Sequence, residues 1–290
     1  MANNDSTNFA GSLVEQIIAA EAVIKLTDVN VMMPLVTEVS TTNADTVTIP
    51  LWNSGSNADD VVNAGDILTH SESVAMSAKK LKSEKVTATL DSMGVNIPIY
   101  DEAQFSSIEN LADRVAVIGA NAISEKIDDM LTDVVSNAST VVGASGNNLA
   151  LGELFEALAT LKSNSAPGPY NLVHKPEAIY KGLMSDLGTS GNTPGAVSIS
   201  EQASAAGFAT TVAGIGIYSS STVNVVSTSY AVGGVFPKEA LMFAYNTPVL
   251  KVEAQREATD LKTDYVFSMF SDAVALESDY LVGIKSKWTT

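Results

Sequence analysis

The pattern that most limits what this chain can become lies between Asp101 and Thr140, where apolar residues return mostly every three or four positions. Ile108, Leu111, Val115, Ile118, Ala122, Ile127, Met130 and Val134 draw one stripe, which predicts a long amphipathic helix buried along that face. About thirty helical residues span roughly 45 Å, more than a small domain needs. Directly before the helix, from Ser40 to Ile99, runs a stretch without helical period. It alternates at both ends, as Val47, Ile49, Leu51 and as Val86, Ala88, Leu90, with a polar Ser-, Asn-, Asp-, Gly- and Lys-rich segment between. That predicts a two-stranded ribbon. Two strands bury too little apolar surface to stand alone in water. The ribbon is therefore expected to lie on something else, as in a protein that assembles.

Composition fits that expectation. Hydrophobic residues make up 46% of 290 positions, enough for one large domain or two medium ones. Charged residues, at 17%, fall below the usual quarter, and Ala, Ser, Thr, Val and Asn take their place. Such a surface suits contact with other protein better than contact with bulk water. The net charge is −17 and the only arginines are Arg114 and Arg256, so the chain repels phosphate backbones. This argues against reading or packaging nucleic acid through basic patches. The one basic cluster is Lys79, Lys80, Lys82 and Lys85. It reads either as a solvated strand face or as a group that meets acidic patches on a neighbouring subunit. With Asp59 and Asp60 these lysines are the candidate intersubunit contacts.

Motifs for chemistry are scarce. Cysteine is absent, which removes disulfides and thiolate metal sites. His70 and His174 are the only histidines, and neither has a second ligand at metal-binding spacing. Both read as structural or solvent-facing. Asp128, Asp129 and Asp133 sit on the long helix, and their offsets put Asp129 and Asp133 on its polar side; the group reads as a solvated or subunit-facing acidic edge. Gly214-x-Gly216 opens like a dinucleotide fingerprint, but Ser219 holds the third glycine position and no helix follows. No phosphate-loop lysine, nucleophile elbow or zinc-protease motif is present. No catalytic residue, cofactor or metal is expected. Met1 to Thr7 lacks the basic and apolar regions of a signal peptide, and no apolar run approaches the ~20 residues of a membrane span. A soluble protein made in the cytoplasm is expected.

Along the chain, residues 1–12 read as a polar arm, and a short amphipathic helix follows through Leu13, Ile17 and Ile24. Thr27 to Thr42 reads as extended, with Pro34 against helix, and Pro50 and Pro98 sit in matching places near the ribbon base. Ser106-x-x-Glu109 fits a capping box before the long helix. Gly119 marks close packing or a bend within it, and Gly143 and Gly146 its end. Leu151 to Leu161 reads as a second helix, Tyr170 to His174 as a strand, and Lys175-Pro176-Glu177 as the opening of a further helix. Another helix is expected at Ser198 to Ala206. Strands are expected at 214–218, 223–226, 231–236, 249–254 and 280–285, and an alternating or short helical piece at 265–275.

This order of elements resembles the major capsid proteins of tailed bacteriophages, the Hong-Kong-97-type fold. Tyr170-Asn-Leu-Val-His174-Lys-Pro176-Glu-Ala-Ile-Tyr180 is similar to that family's strand-then-helix entry to the apical domain. Val235-Phe-Pro-Lys-Glu-Ala-Leu-Met-Phe-Ala244 is similar to a late segment of the family, and Pro248 to Glu257, Tyr265 to Ala273 and Tyr280 to Lys285 follow its closing pattern. The resemblance implies an α+β fold with an N-terminal arm (1–39), an extended β-ribbon loop (40–99), a peripheral domain with the spine helix (100–165), an apical domain (166–230) and return strands of the peripheral domain (231–290). It implies a protein without enzymatic activity that self-assembles through hexamers and pentamers into an icosahedral head shell around double-stranded DNA. Scaffolding, portal or cement proteins would be further partners, and the virion its location. No long N-terminal scaffold segment and no matched cross-linking lysine and asparagine are visible. The alternatives are an encapsulin-like shell, a secreted surface or adhesion protein, and an enzyme with a dispersed site.

Overall fold

The computed structural model describes residues 30–52, 62, 83–106, 111–183, 185–186, 211–227 and 230–288. The first strands are β1 (Thr37–Thr41), β2 (Thr46–Trp52), β3 (Ser83–Thr89) and β4 (Asp91–Tyr100). Helices α1 (Asp101–Ser106) and α2 (Leu111–Ser136) follow, then β5 (Thr140–Val142), α3 (Leu151–Ser163) and β6 (Tyr170–His174). After a π-helical turn at Ala178–Leu183 come β7 (Thr211–Val212), β8 (Ile215–Ser219), β9 (Val225–Ser227) and β10 (Tyr230–Pro237). The chain closes with β11 (Leu241–Asn246), β12 (Lys251–Glu257), β13 (Lys262–Ala275) and β14 (Val282–Lys287).

These strands form three sheets. The first has five strands around β13, which pairs antiparallel with β11, β12 and β4, while β1 joins β11 in parallel. The second runs β5-β14-β10-β6-β8-β7, with β9 also on β10. The third is the ribbon of β2 and β3 alone.

At its base the ribbon ends earlier than its sequence suggests. Thr46 faces Thr89 and Trp52 faces Ser83, so the alternating ends do pair. The residues after Leu90 leave it, however, and Asp91 to Tyr100 pair with Ser271 to Lys262 in the five-stranded sheet. The cause is the run Met93, Val95, Ile97, Ile99, whose alternate side chains pack on the main core instead of on a second ribbon strand. Pro50 and Pro98 therefore do not match: Pro50 lies opposite Lys85 and Pro98 opposite Asp264. Both sit in strands with one ladder partner among the described residues, where a missing amide is tolerated.

The long helix is present, with its buried face turned from the expected one. Val115, Ala116, Ala120, Ile123, Ile127, Leu131 and Val135 are buried, whereas Ile118 is 58% exposed. Around Gly119 the inner face is made of small residues, Ala116, Gly119 and Ala120, because the helix there lies close to β13. A Cβ on Gly119 would stand 2.6 Å from the Phe267 ring, so Gly119 marks close packing. Ser106 is the last residue of α1, and the capping box expected at Ser106 and Glu109 falls outside what the structure describes, since residues 107–110 are not among the described ones. The helix stops at Ser136, before Gly143, where the Ser136 hydroxyl and the Asn137 side-chain amide both donate to the Asp133 carbonyl.

Elsewhere β6 and α3 fall where expected. Pro34 stands in the first turn of a short 3-10 helix, Met33–Leu35, where its missing amide costs nothing. Residues 265–275 are strand throughout, with Tyr265, Phe267, Met269 and Ser271 all buried at period two. The helix expected at Ser198 to Ala206 and the arm and helix expected within residues 1–29 lie outside the described residues. One core joins α2 to β13, β10 and the Met32–Val36 segment; a second packs α3 on the seven-stranded sheet through Leu154, Ala157 and Leu161.

Candidate assembly surfaces

The ribbon divides into a buried base and an exposed end. Val47, Ala88 and Leu90 pack with Met242 and Ala244 of β11, joined by Val39, Ile49, Val274 and Leu276. The Thr89 amide donates to Asp272 Oδ2 at 2.9 Å and the Leu90 amide to the Asp45 carbonyl at 2.8 Å, which fixes the angle at which the ribbon leaves the sheet. The chain's own sheet thus covers the base. Toward the far end Ser83, Glu84 and Lys85 are exposed, and Trp52 is 67% exposed. Among the described residues neither ribbon strand has a second ladder partner.

Of the candidate intersubunit contacts, only Lys85 is described: it is solvent-facing on β3, opposite Pro50. Lys79, Lys80, Lys82, Asp59 and Asp60 lie outside the described residues, as does His70.

The acidic edge of α2 is partly as expected and partly not. Asp133 is exposed and accepts from the Asn224 amide at 3.2 Å; Asp129 pairs with Lys126 at 2.8 Å. Partial burial and the neighbouring Asp129 charge push the Asp133 carboxyl above its usual range, and Lys126 offsets part of this. Asp128 corrects the reading: it is 5% exposed and points inward. Its carboxylate accepts the amides of Val31 at 3.2 Å and Met32 at 3.0 Å, so a chain segment 96 residues away in sequence makes this position internal.

His174 is structural. It is fully buried at the end of β6, with Nδ1 accepting the Lys175 amide at 2.8 Å. Nε2 lies 3.1 Å from the Ser286 hydroxyl and 3.3 Å from the Ile284 carbonyl. That geometry assigns the proton to Nε2. Burial drives its pKa down to about 4. Among the described residues no group of histidine and carboxylate side chains could hold a metal ion, and no helix is long and apolar enough to cross a membrane.

A second exposed surface was not anticipated. Where β4 passes into α1, the Asp101 amide donates to the Leu261 carbonyl at 2.9 Å, which ties the α1 start to the β12–β13 turn. Arg256 grips Asp101 with two nitrogen–oxygen contacts of 2.6 Å. The Arg256 hydrogen bonds, with its charge, hold the Asp101 carboxyl below the usual range. Around this pair Tyr100, Phe105 and Leu261 are 52%, 91% and 58% exposed. Lys262 sits among Glu257, Asp260 and Asp264 at 2.9, 3.8 and 3.7 Å. The tip thus offers large apolar side chains within a mostly acidic rim. Its parts come from segments about 160 positions apart, so no local pattern announces it.

No family model matches the chain, and no curated protein sequence matches it. Solved structures do. The capsid of the Cyanophage P-SCSP1u is similar at a TM-score of 0.64 with 17% identity, over 88% of this chain and 87% of that one. The capsid of Ralstonia phage GP4 is similar at 0.66 with 9% identity, over 88% of each chain. The SrpI encapsulin from Synechococcus elongatus PCC 7942 is similar at 0.63 with 11% identity, over 89% of this chain and 88% of that one. The chain has the major-capsid fold of tailed phages, and encapsulin shells have it too.

Proposed function

We propose that this chain is a major capsid protein that self-assembles into the icosahedral head shell of a tailed bacteriophage and encloses its double-stranded DNA. The observation that carries the reading is the likeness to phage capsids over 88% of the chain. The exposed ribbon end at Trp52 and Lys85 and the apolar tip at Tyr100, Phe105 and Leu261 add to it, since lone subunits gain nothing from such surfaces. In this reading the protein is not an enzyme. It meets other copies in hexamers and pentamers, works with scaffolding, portal or cement proteins, and resides in the virion after synthesis in the host cytoplasm. Within residues 40–99 the far part of the ribbon acts as the extended loop over an adjacent subunit, while 91–99 join 100–165 and 231–290 in the peripheral domain. Residues 166–230 act as the apical domain, and of the arm assigned to 1–39 residues 30–39 are seated on the chain's own core and sheet. Lys79, Lys80, Lys82 and Lys85 meet carboxylates of that neighbour. An acidic wall suits packaged DNA, because a surface without basic patches lets a duplex slide.

The second reading is an encapsulin-type shell around protein cargo, favoured by the comparable likeness to the SrpI encapsulin. Electron microscopy and nucleic-acid content of native particles test both. DNA-filled heads bearing tails support the first reading, closed shells holding protein the second, and a protein that forms no shell with its partners present removes both.

A further inference from the structure

The chain enters its described part at Asn30, and the next residues are held against α2 by one acidic side chain. Asp128 Oδ2 accepts the Val31 amide at 3.2 Å and Oδ1 the Met32 amide at 3.0 Å. Asn30 Oδ1 accepts the Met33 amide at 2.6 Å, which closes the turn, and Met32 is fully buried in the main core. Among the described residues Asp128 has no cation to balance it. On its own helix Lys126 is committed to Asp129, while Glu125 and Asp129 add negative charge. Ser124 lies one turn away with its buried hydroxyl unpartnered, and the buried Asn30 side-chain amide is unpartnered as well. The facing loop brings only Ser219, Ser220, Ser221 and Thr222 to this cleft. The nearby Lys175 is spent on the Ser221 carbonyl, at 2.8 Å, and on the Trp288 ring. The opposing segment contributes Asn30, Val31 and Met32, none of them charged.

We propose that seating of the Asn30–Met32 segment on α2 is proton-linked through Asp128: the segment is held more firmly when Asp128 is neutral, and is released more readily when it is charged. The reason is desolvation. Two amides offer a buried carboxylate good but incomplete compensation, and a lone buried charge favours any state that returns it to water. A neutral carboxyl keeps an acceptor for one amide and loses that penalty. Burial does push the Asp128 carboxyl above its ordinary value of 3.8, against the opposite pull of the two amides. The sign follows from linkage. The seated form binds the proton more tightly than the released form, so seating strengthens as pH falls through the raised value. Above that value the seat is at its weakest and stays constant. The seat stands on the subunit's own contacts and does not depend on the shell reading.

Amide hydrogen exchange on the dispersed full-length subunit tests the seat whether or not shells form. The readout is protection of the 30–36 region, corrected for the pH dependence of intrinsic exchange, with the Thr37–Thr41 strand as internal control. Wild-type protection is expected to rise several-fold from pH 7.5 toward pH 4.5 at constant control protection, and Asp128→Asn to show no such rise. Protection that stays flat or falls on acidification in the wild type, or an unchanged rise in Asp128→Asn, overturns the proposal. If Asp128→Asn does not fold, the wild-type titration alone decides.

Discussion

Acidification should weaken the fold through His174 in a way that one substitution can isolate. Nδ1 accepts the Lys175 amide, so a second ring proton would meet a donor and place a cation in a fully buried site. With the pKa lowered from 6.5 to about 4, the neutral ring contributes stability that is complete above pH 6.5 and is lost as pH falls from there toward 4. A displacement of that size corresponds to about 3 kcal/mol across the whole window and about 2 kcal/mol by pH 5. The wild-type pH profile alone does not expose it. Asp128, Asp133, Glu153 and Glu277 all have carboxyls raised first by burial, and these gain stability as pH falls. His174→Asn keeps an acceptor near the Lys175 amide but carries no titrating ring. Urea unfolding of wild type and variant, followed by far-ultraviolet circular dichroism from pH 8 to pH 5, gives the difference in stability at each pH. The wild-type advantage should shrink by about 2 kcal/mol over that range. A difference that stays constant within about 0.5 kcal/mol would refute the argument that the ring is held neutral.

Gly119→Ala should destabilise the subunit by about 1–3 kcal/mol, because the new methyl meets the Phe267 ring; adding Phe267→Leu should restore part of the loss in urea unfolding. Trp52→Ser should leave subunit stability within about 0.5 kcal/mol of wild type, since the side chain is 67% exposed, yet slow particle formation in light scattering; equal assembly rates would remove the ribbon end from the interface. Changing Lys79, Lys80, Lys82 and Lys85 together to glutamine should slow assembly at low salt, and the defect should shrink as salt screens both attraction and repulsion. Rates that match wild type at low salt would make the cluster a solvated face. Deleting Ser54 to Lys79 should leave a folded subunit but no closed shells, and normal particles in the microscope would show that this segment is dispensable.

What the sequence reveals and what it hides divide along physical lines. Tyr170–His174, Leu151–Ser163 and the pairing of Thr46–Trp52 with Ser83–Thr89 were legible because each is decided by alternation or helical period within a few residues. The inner face of α2 was not. Hydrophobic weight favours Ile118 over Ala116 and Ala120, but at Gly119 the helix lies so close to Phe267 that no side chain fits between them, and this turns Ile118 outward. The distance between a helix and its sheet is a tertiary quantity, and periodicity carries no record of it. The same holds for Asp128, whose neighbours at 125–133 spell an exposed acidic edge, while the amides that satisfy it arrive from Val31 and Met32. The strand β13 was ambiguous because two different strands, β11 and β12, cover its two parts, with β4 also along it, so no one partner declares its length. Surfaces suited to assembly suffer most from this limit. The tip at Tyr100, Phe105 and Leu261 exists only because Arg256 and the Leu261 carbonyl draw the α1 start onto a distant turn. A side chain buried by its own chain leaves a periodic trace, whereas one left exposed for another chain obeys no period at all.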